Sequence, residues 1–306
     1  MSELGLFGKV PTRDDFVRHP VSGDAARSFE RWMEAALDAL PGVAGRLPPS
    51  PVRAVVHPPG ADHSVVAAIV PSRDQAGRPH PLTVLALVPR AEVVAAFPLV
   101  PMTYATFLDQ AVSLALRGAS DLAYDDLARG LDVLTLPAPL ERRHAQDLGE
   151  QVLAHPMVPE IHGRLFGASG QAPYAYQTLL TACRDAAQEA GEAPVLDCPV
   201  RVDVDLFHWL ELTRRVVPAP PAFFWVEDPS PRLLLALGEP PPAILGLLAD
   251  PTVEHPRLWP LTTDRTAALA AARTALSPVL GPLGPDAPLS GYYDALAQRA
   301  AAGSLR

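Results

Sequence analysis

The chain has 306 residues, of which 48% are apolar and 19% charged, so it carries enough apolar material for a hydrophobic core and is not expected to be disordered. Its formal net charge is −9 and its isoelectric point is about 5.4, which disfavours nucleic acid and anionic membranes as main partners, because both need a basic face. Its 36 prolines, which helix interiors and central strands exclude, mark the boundaries of the predicted elements.

The first half of the chain alternates between strand-like and helix-like patterns. Residues 4–8 predict an edge strand, and residues 25–40 predict a helix with Asp24 as its N-cap and an apolar face at helical spacing. Further apolar runs bounded by turn residues predict strands at residues 52–57, 64–70 and 82–88 and helices at residues 90–96 and 104–116, with Gly118 as the stop of the second helix. Because short loops join these strands, we expect antiparallel neighbours, with the first helix covering one face of the sheet.

This order predicts the α+β class: a mixed or antiparallel sheet of short strands flanked by helices, in an order similar to that of longin or profilin-like domains. A segment rich in leucine and proline at residues 131–140 predicts a boundary, so we expect an N-terminal α+β domain at residues 1–137. Residues 138–306 are predicted to form a helix-rich C-terminal region with a strand pair, and whether this region packs on the first domain as one unit stays open. The patterns predict helices at residues 141–153, 174–189, 205–216, 243–249, 263–276 and 291–301, strands at residues 222–226 and 232–237, and a glycine-bearing loop at residues 163–173.

The usual signatures of metal, nucleotide and nucleophile sites are not found in the sequence. The nine histidines are scattered without a His-Glu-x-x-His pattern, and Cys183 and Cys198 form no Cys-x-x-Cys pair. No Gly-x-x-x-x-Gly-Lys-Ser/Thr phosphate loop and no Gly-x-Ser-x-Gly elbow is present. We therefore predict no metal, no cofactor and no enzyme activity, and we expect two free thiols, with a disulfide as the alternative.

The cellular location is predicted from the absence of targeting patterns. The start of the chain lacks the basic-then-apolar order of a signal peptide. The longest apolar runs, such as residues 65–70 and 82–88, are much shorter than the ~20 residues that a membrane span needs. We expect a soluble cytoplasmic protein that does not insert into membranes.

The first patch with chemical potential is Arg13-Asp14-Asp15. Adjacent carboxylates beside an arginine are able in principle to supply a general acid and a general base. Neighbouring residues in a regular element do not point the same way, however, so the competing interpretation is a turn. In that turn an aspartate accepts backbone N–H bonds and Arg13 neutralises it.

The second patch lies in the predicted loop at residues 71–81, which joins two strands. It holds Arg73, Asp74, Arg78 and His80. An arginine–carboxylate pair is expected to pin this loop, and the Asp14/Asp15 turn is a candidate partner, because a guanidinium binds a carboxylate bidentately. The sequence alone does not decide whether the two patches meet.

These two patches carry a resemblance to the TagF family of accessory proteins of type VI secretion. The run Gly-Leu-Phe-Gly-Lys-Val-Pro-Thr-Arg-Asp-Asp-Phe-Val at residues 5–17 resembles the start of family members, with Leu6 where an aromatic residue is common and Asp14 in place of the usual glycine. The run Pro-Ser-Arg-Asp-Gln-Ala-Gly-Arg-Pro-His-Pro-Leu-Thr at residues 71–83 is similar to a second family motif, and Phe29 and Trp32 resemble its Trp-containing helix. Because glycine permits a left-handed or close-approach backbone, we expect such a conformation to be lost at residue 14.

The resemblance implies a non-enzymatic, post-translational regulator that represses assembly of the type VI secretion system. The implied partner is a forkhead-associated-domain scaffold protein of the secretion apparatus. The residues nominated for binding are the charged members of the two motifs: Lys9, Arg13, Asp14, Asp15, Arg73, Asp74 and Arg78. Two alternatives stay open, namely a hydrolase-type enzyme that uses Arg13, Asp14, Asp15 and His80, and a structural accessory of the secretion baseplate.

Overall fold

The computed structural model describes residues 3–19, 21–40, 47–167, 171–188, 192–284 and 286–303. Within these residues the chain forms one sheet of nine strands. The strands are β1 (Glu3–Gly8), β2 (Val17–His19), β3 (Val52–Val56), β4 (His63–Val70), β5 (Leu82–Pro89), β6 (Val195–Pro199), β7 (Ala222–Val226), β8 (Arg232–Ala236) and β9 (Leu258–Pro260).

Helices cover the sheet and connect its strands. They are α1 (Asp24–Asp38), α2 (Arg90–Ala95), α3 (Val100–Thr103), α4 (Ala105–Ser120), α5 (Tyr124–Leu131), α6 (Pro139–Ala154), α7 (Val158–Phe166), α8 (Ala172–Gln188), α9 (Asp203–Val216), α10 (Ile244–Ala249), α11 (Thr266–Leu280) and α12 (Leu289–Gly303). A single 3₁₀ turn, Phe97–Leu99, precedes α3 in the described part of the chain.

The sheet has the strand order β2-β1-β5-β4-β3-β7-β8-β6-β9. Its neighbours are antiparallel except for β6 and β9, which run parallel. The predicted α+β class is therefore confirmed, and so is the antiparallel arrangement of the three strands predicted between residues 52 and 88. The predicted edge position of the first strand is wrong, because β2 pairs with β1 on its outer side. With only three residues, β2 is too short to show a period in the sequence.

Helices pack on both faces of the sheet, which explains why its strands are apolar at successive positions. In β4, Val65, Ala67 and Ile69 lie in the same buried cluster as residues of α1 and α10. The intervening Val66 and Val70 belong to the cluster that includes residues of α4, α8 and α9 on the other face. Because side chains alternate between the faces of a strand, burial of both faces requires a continuous apolar run.

The sheet continues across the predicted boundary near residue 137. Strand β3 pairs with β7, and Arg53 lies opposite Trp225 in that register. The Arg53 guanidinium binds Asp109 of α4 at 2.8 Å and Glu227, just after β7, at 2.7 Å. The division into residues 1–137 and 138–306 stays a prediction, while the β-ladder between them is a feature of the structure.

Two glycines do not act as the sequence patterns predicted. Gly118 does not stop α4, which runs on to Ser120. A Cβ at this position would lie 2.7 Å from Leu82 Cδ2 and 3.0 Å from Leu127 Cδ1, so a larger residue would have to displace these leucine side chains. Most of the predicted loop at residues 163–173 is also wrong, because α7 continues to Phe166 and ends at Gly167 with φ +57°. Residues 168–170 of that prediction, and Glu189 at the predicted end of the next helix, lie outside the described residues.

Both cysteines are free thiols buried in the core, Cys183 on α8 and Cys198 on β6. Burial raises the pKa of the Cys183 thiol to about 12 and that of Cys198 well above its usual value. Neither thiol is therefore activated as a nucleophile at neutral pH.

No single helix in the described ranges is long and apolar enough to cross a membrane. The helical segments Phe97–Thr103 and Ala105–Ser120 reach that length and composition only as a pair, with a bend of 57° between them.

Replacing Trp32 with alanine is expected to lower the free energy of unfolding by about 3–5 kcal/mol. The ring stacks on Phe29 and Phe224, with centroids at 5.5 and 5.2 Å, and its Nε1 donates a hydrogen bond to Pro240 O at 2.8 Å, so the substitution removes both packing and a contact between the two halves. Urea denaturation followed by circular dichroism measures the change. The control is Val133→Ala at a side chain that is 72% exposed, which should change stability by less than about 0.5 kcal/mol. Equal effects of the two substitutions would contradict the core position of Trp32.

Candidate functional site

The pairing of β1 with β5 brings the two sequence motifs to one end of the sheet. The strands are antiparallel, with Phe7 opposite Thr83, so the end of β1 lies beside the start of β5. Gly8 ends β1 with φ +137°, and a Cβ at this position would lie 2.2 Å from Pro81 O. Only glycine fits this backbone conformation and this approach, which places the segment after β1 against the loop before β5.

A buried carboxylate holds these two segments together. Asp74, which is 1% exposed, accepts hydrogen bonds from the backbone N–H of Arg78 at 2.8 Å and from Arg78 Nε at 2.6 Å. Lys9 Nζ lies 3.0 Å from the same carboxylate. We call Lys9, Asp74 and Arg78 the signature brace. It is a charge-assisted network in which one carboxylate satisfies donors from both motifs.

Backbone groups add further links between the two motifs. Ser72 Oγ donates to Lys9 O at 2.7 Å, and Gln75 N donates to Arg13 O at 2.9 Å. The two patches therefore meet.

The sequence suggested an ion pair between an arginine of this loop and the Asp14 or Asp15 carboxylate, and this prediction is wrong. The carboxylate that Arg78 binds is Asp74 of its own loop, and Arg78 Nη2 reaches the turn by donating to Asp14 O at 2.9 Å. The Arg–carboxylate pair that pins the loop at residues 71–81 is thus confirmed, while the contact with the turn uses a backbone carbonyl.

The environment of Asp74 keeps its carboxylate ionised. Burial opposes ionisation, but the hydrogen bonds from the Arg78 backbone and from the Lys9 and Arg78 side chains outweigh it and lower the pKa of Asp74 to about 2. A carboxylate that is charged at neutral pH and bound on both oxygens is not available as a general acid. Its role in the brace is structural.

The segment Arg13-Asp14-Asp15 forms an exposed turn, but Arg13 does not neutralise the aspartates as predicted. The backbone N–H of Arg13 donates to Val10 O at 3.2 Å. The Arg13 guanidinium lies over the Tyr124 ring, 4.5 Å from its centroid, and 3.6 Å from the Asp125 carboxylate. Because of this cation–π contact with α5, the Arg13 guanidinium does not pair with the neighbouring Asp14 and Asp15 side chains.

The side chains of Asp14 and Asp15 are exposed. Neither carboxylate has a hydrogen bond or an ion pair with any residue that the structure describes. No described residue other than glycine has a positive φ, so Asp14 does not adopt the left-handed conformation that glycine would permit. The expected loss of a left-handed conformation at residue 14, where Asp14 replaces the usual glycine, is therefore confirmed.

Phe16 is an exposed aromatic side chain held in a fixed position beside this turn. The ring is 42% exposed, stacks on Phe7 at 6.2 Å and meets the His80 ring edge-on at 5.0 Å. The Arg18 guanidinium lies 5.7 Å from the Phe16 centroid. Burial lowers the pKa of His80, whose Nδ1 lies 2.7 Å from Pro81 O, so this ring is neutral at neutral pH.

The nominated residues thus fall into two groups. Lys9 and Asp74 are largely or fully buried in the brace, whereas Arg13, Asp14, Asp15, Arg73 and Arg78 are exposed. Arg73 contributes its backbone to a β-bridge with Pro79, and its side chain has no partner in the part of the chain that the structure describes. The signature surface is defined as the exposed set: Arg13, Asp14, Asp15, Phe16, Arg73 and Arg78.

Two residues of this region were missed as site residues by the sequence patterns. Phe16 lies inside the first motif, and an aromatic residue next to a charged turn was a usable signal. Tyr124 supplies the surface on which Arg13 rests and donates from its hydroxyl to Arg18 O at 2.7 Å. It is more than 100 positions from the motif, so no local pattern connects them.

The described residues contain no group of three or more His, Cys, Asp or Glu side chains arranged to hold a metal ion. What the signature surface offers is a set of guanidinium donors, carboxylate acceptors and one aromatic face.

Replacing Asp74 with asparagine is expected to destabilise the protein at neutral pH and to do so progressively less in acid. The folded-state pKa of Asp74, about 2, lies below the value of about 3.9 for an unfolded chain, so the ionised carboxylate stabilises the folded state above that value. This contribution is lost as the pH falls from about 4 to about 2. Urea denaturation of wild type and Asp74→Asn across that range measures the difference in unfolding free energy. The control is Asp15→Asn, at an exposed carboxylate outside the brace, which should show little difference at any pH. A difference for Asp74→Asn that does not vary with pH would contradict the brace.

The chain was compared with protein families and with known proteins. The family model of the TagF N-terminal domain, described as type VI secretion system-associated, matches residues 5–134. Among solved structures, the chain is similar to the crystal structure of PA0076 from Pseudomonas aeruginosa PAO1, with 17% sequence identity, coverage of 84% of this chain and 99% of that chain, and a TM-score of 0.49. A search of curated proteins found no match.

The family match includes both sequence motifs, the whole signature brace and every residue of the signature surface. Residues 5–134, the part of the chain that holds the candidate site, therefore match the TagF N-terminal domain, a family described as type VI secretion system-associated.

Proposed function

We propose that the protein is a cytoplasmic, non-enzymatic regulator that represses assembly of the type VI secretion system by binding a protein partner through the signature surface. The partner that we propose is a forkhead-associated-domain scaffold protein of the apparatus, as the family resemblance implies. The observation that carries the proposal is that Lys9 and Asp74 are buried, whereas the other nominated motif residues, including Arg78 of the brace, are exposed. Such a division is expected where a loop is held rigid in order to present side chains to another molecule.

The composition of the signature surface favours protein binding. Arginine and aromatic residues are enriched among the side chains that dominate binding energy at protein interfaces. Here Arg13 and Arg73 are exposed, and so is Phe16 of the same signature surface, whose ring stays 42% exposed although it stacks on a buried neighbour. An exposed aromatic ring of fixed orientation offers apolar contact area at a low cost in side-chain entropy.

The charges of the surface favour a partner whose charge is also mixed. The signature surface contains Arg13, Arg73 and Arg78 together with Asp14 and Asp15, in a chain whose net charge is −9. Complementary charges at an interface mainly orient the partner and raise the association rate, and like charges exclude wrong partners. A pattern of both signs therefore supports a specific complex over general attraction to a polyanion.

Replacing Arg73 or Arg13 with alanine is expected to weaken binding of the forkhead-associated scaffold at least about fivefold each, because arginine is enriched among the interface residues whose truncation costs more than about 1 kcal/mol. Purified full-length protein and scaffold from the same secretion gene cluster are titrated by isothermal calorimetry. The matched control is Arg27→Ala on α1, a guanidinium that is 67% exposed and pairs with Asp24, and it should leave the affinity unchanged.

The alternatives have different outcomes. Binding that is unaffected by both substitutions contradicts the signature surface as the interface. Failure to bind the scaffold, together with turnover of a panel of phosphoesters or glycosides that Asp14→Asn or Asp15→Asn abolishes, would support the hydrolase. A fixed stoichiometric presence in the purified apparatus would support the baseplate accessory.

Deleting the gene in the host is expected to raise type VI secretion, because a repressor is removed. Secreted substrate is measured by immunoblotting of culture supernatants, with a cytoplasmic protein as lysis control. Wild type and Arg27→Ala should restore repression, whereas the Arg13→Ala/Arg73→Ala double variant should not. Loss of secretion on deletion would overturn the repressor role.

A further inference from the structure

A second site lies in the C-terminal half, outside the residues that match the family model. A cleft of about 460 Å³ opens between α7, α8, α11 and α12. Its apolar walls include Phe166, Leu276, Leu280 and Tyr292, and its polar lining includes His162 and Arg273. Pockets that bind small ligands typically combine apolar walls with a few polar groups that converge on one point.

A buried chain of hydrogen bonds runs from this cleft into the core. His162 Nε2 lies 2.9 Å from the Tyr176 hydroxyl, which lies 3.2 Å from His208 Nε2. His208 Nδ1 lies 2.6 Å from the Tyr293 hydroxyl. Burial lowers the pKa of His162 to about 4 and that of His208 to about 3, so both rings are neutral at neutral pH and each carries one N–H.

The chain has two possible hydrogen arrangements, and burial selects one of them. If His208 Nδ1–H donated to Tyr293, the buried Tyr293 O–H would have no acceptor among the described residues. In the opposite arrangement Tyr293 donates to His208 Nδ1, His208 Nε2–H donates to Tyr176, and Tyr176 donates to His162 Nε2. Every buried donor is then satisfied, which is the requirement for a buried polar network.

This arrangement fixes the tautomer of His162 at the cleft. Because His162 Nε2 accepts, the proton of its neutral ring is on Nδ1. No residue in the described ranges forms a hydrogen bond with Nδ1. Other unpaired side-chain atoms of the chain are shut off from solvent, but Nδ1 of His162 is not one of them. His162 therefore presents an N–H donor where its ring lines the cleft.

Two other features of the cleft have the same preference. Arg273 is exposed on α11 and has no carboxylate partner among the residues that the structure describes. Ala172 and Pro173, the first residues of α8, also line the cleft. A helix N-terminus favours negative charge through its dipole and its unpaired N–H groups, although Pro173 supplies none of these groups because proline has no N–H. An N–H donor, a guanidinium and a helix N-terminus thus all favour an anion, next to walls that favour an apolar chain.

We propose that this cleft binds a small amphiphilic carboxylate, with the carboxylate held by His162 Nδ1–H and Arg273 and the apolar chain lying against Phe166, Leu276 and Leu280. The site uses none of the residues of the signature surface, so it is independent of the partner proposed above.

Isothermal calorimetry of the full chain with sodium octanoate tests the proposal. Octanoate is expected to bind saturably with a stoichiometry of about one, as one cleft requires. Acetate has the same head group without the chain, and 1-octanol has the same chain without the charge, so both should bind at least about tenfold more weakly. Arg273→Gln, an exposed substitution, should weaken octanoate binding about tenfold, because a charge-assisted hydrogen bond is lost. The matched control Arg299→Gln, on exposed Arg299 of α12 outside this cleft, should bind as wild type does.

The hydrogen arrangement has its own measurement. Nitrogen-15 spectra of histidine-labelled protein, assigned with His162→Gln, should show the Nδ1–H tautomer for His162 and the Nε2–H tautomer for His208, with the His162 Nδ1 signal moving on octanoate addition. Each of four results would overturn the proposal: no saturable octanoate binding, equal binding of 1-octanol or acetate, unchanged affinity in Arg273→Gln, or an Nε2–H tautomer at His162.

Discussion

The pairing of β3 with β7 is the constraint on which the rest of the structure depends, because it joins strands from both halves of the chain into one sheet. Once this ladder forms, the central strands have neighbours on both sides and helices on both faces, so nearly all their side chains are removed from water. Arg53 is the one polar residue of β3; it is also buried, and its guanidinium binds Asp109 of α4 and Glu227 just after β7. Two segments that the sequence separates by about 170 positions thereby stabilise each other.

The candidate site follows from the register of one further strand pair. Antiparallel pairing of β1 with β5 puts Gly8 beside Pro81 and Leu82, so two motifs more than 60 positions apart have to share one surface. Gly8 permits the approach, Asp74 supplies the charge that holds the segments together, and the remaining motif residues are left free to face outwards. A sequence motif with both buried and exposed members thus combines residues that stabilise the fold with residues that remain exposed on its surface.

The parts of this structure that local patterns encode could be predicted from the sequence. The strands β3, β4 and β5 were recognisable because their apolar runs end at proline and glycine. The contact between the two motifs was suggested by their charges. Features set by distant partners could not be predicted. Strand β6 has a charged residue, Asp197, in its middle, which interrupts the apolar pattern of a buried strand. The structure explains this residue, because Arg232 of β8 pairs with it at 2.7 Å. The partner of Arg13 is likewise on α5, and Gly118 is explained only by Leu82, which packs against it.

The signature brace has a consequence for the kinetics of the binding that we propose. Arg78 uses Nε for Asp74 and Nη2 for Asp14 O, which leaves Nη1 without a partner among the described residues. Its long side chain is thus ordered by folding alone, and a binding partner does not have to immobilise it. The entropy of fixing such a side chain, about 0.5–1.5 kcal/mol, is therefore already lost in the free protein. Preorganisation of this kind mostly lengthens the lifetime of a complex, since the arginine stays in its bound conformation between encounters.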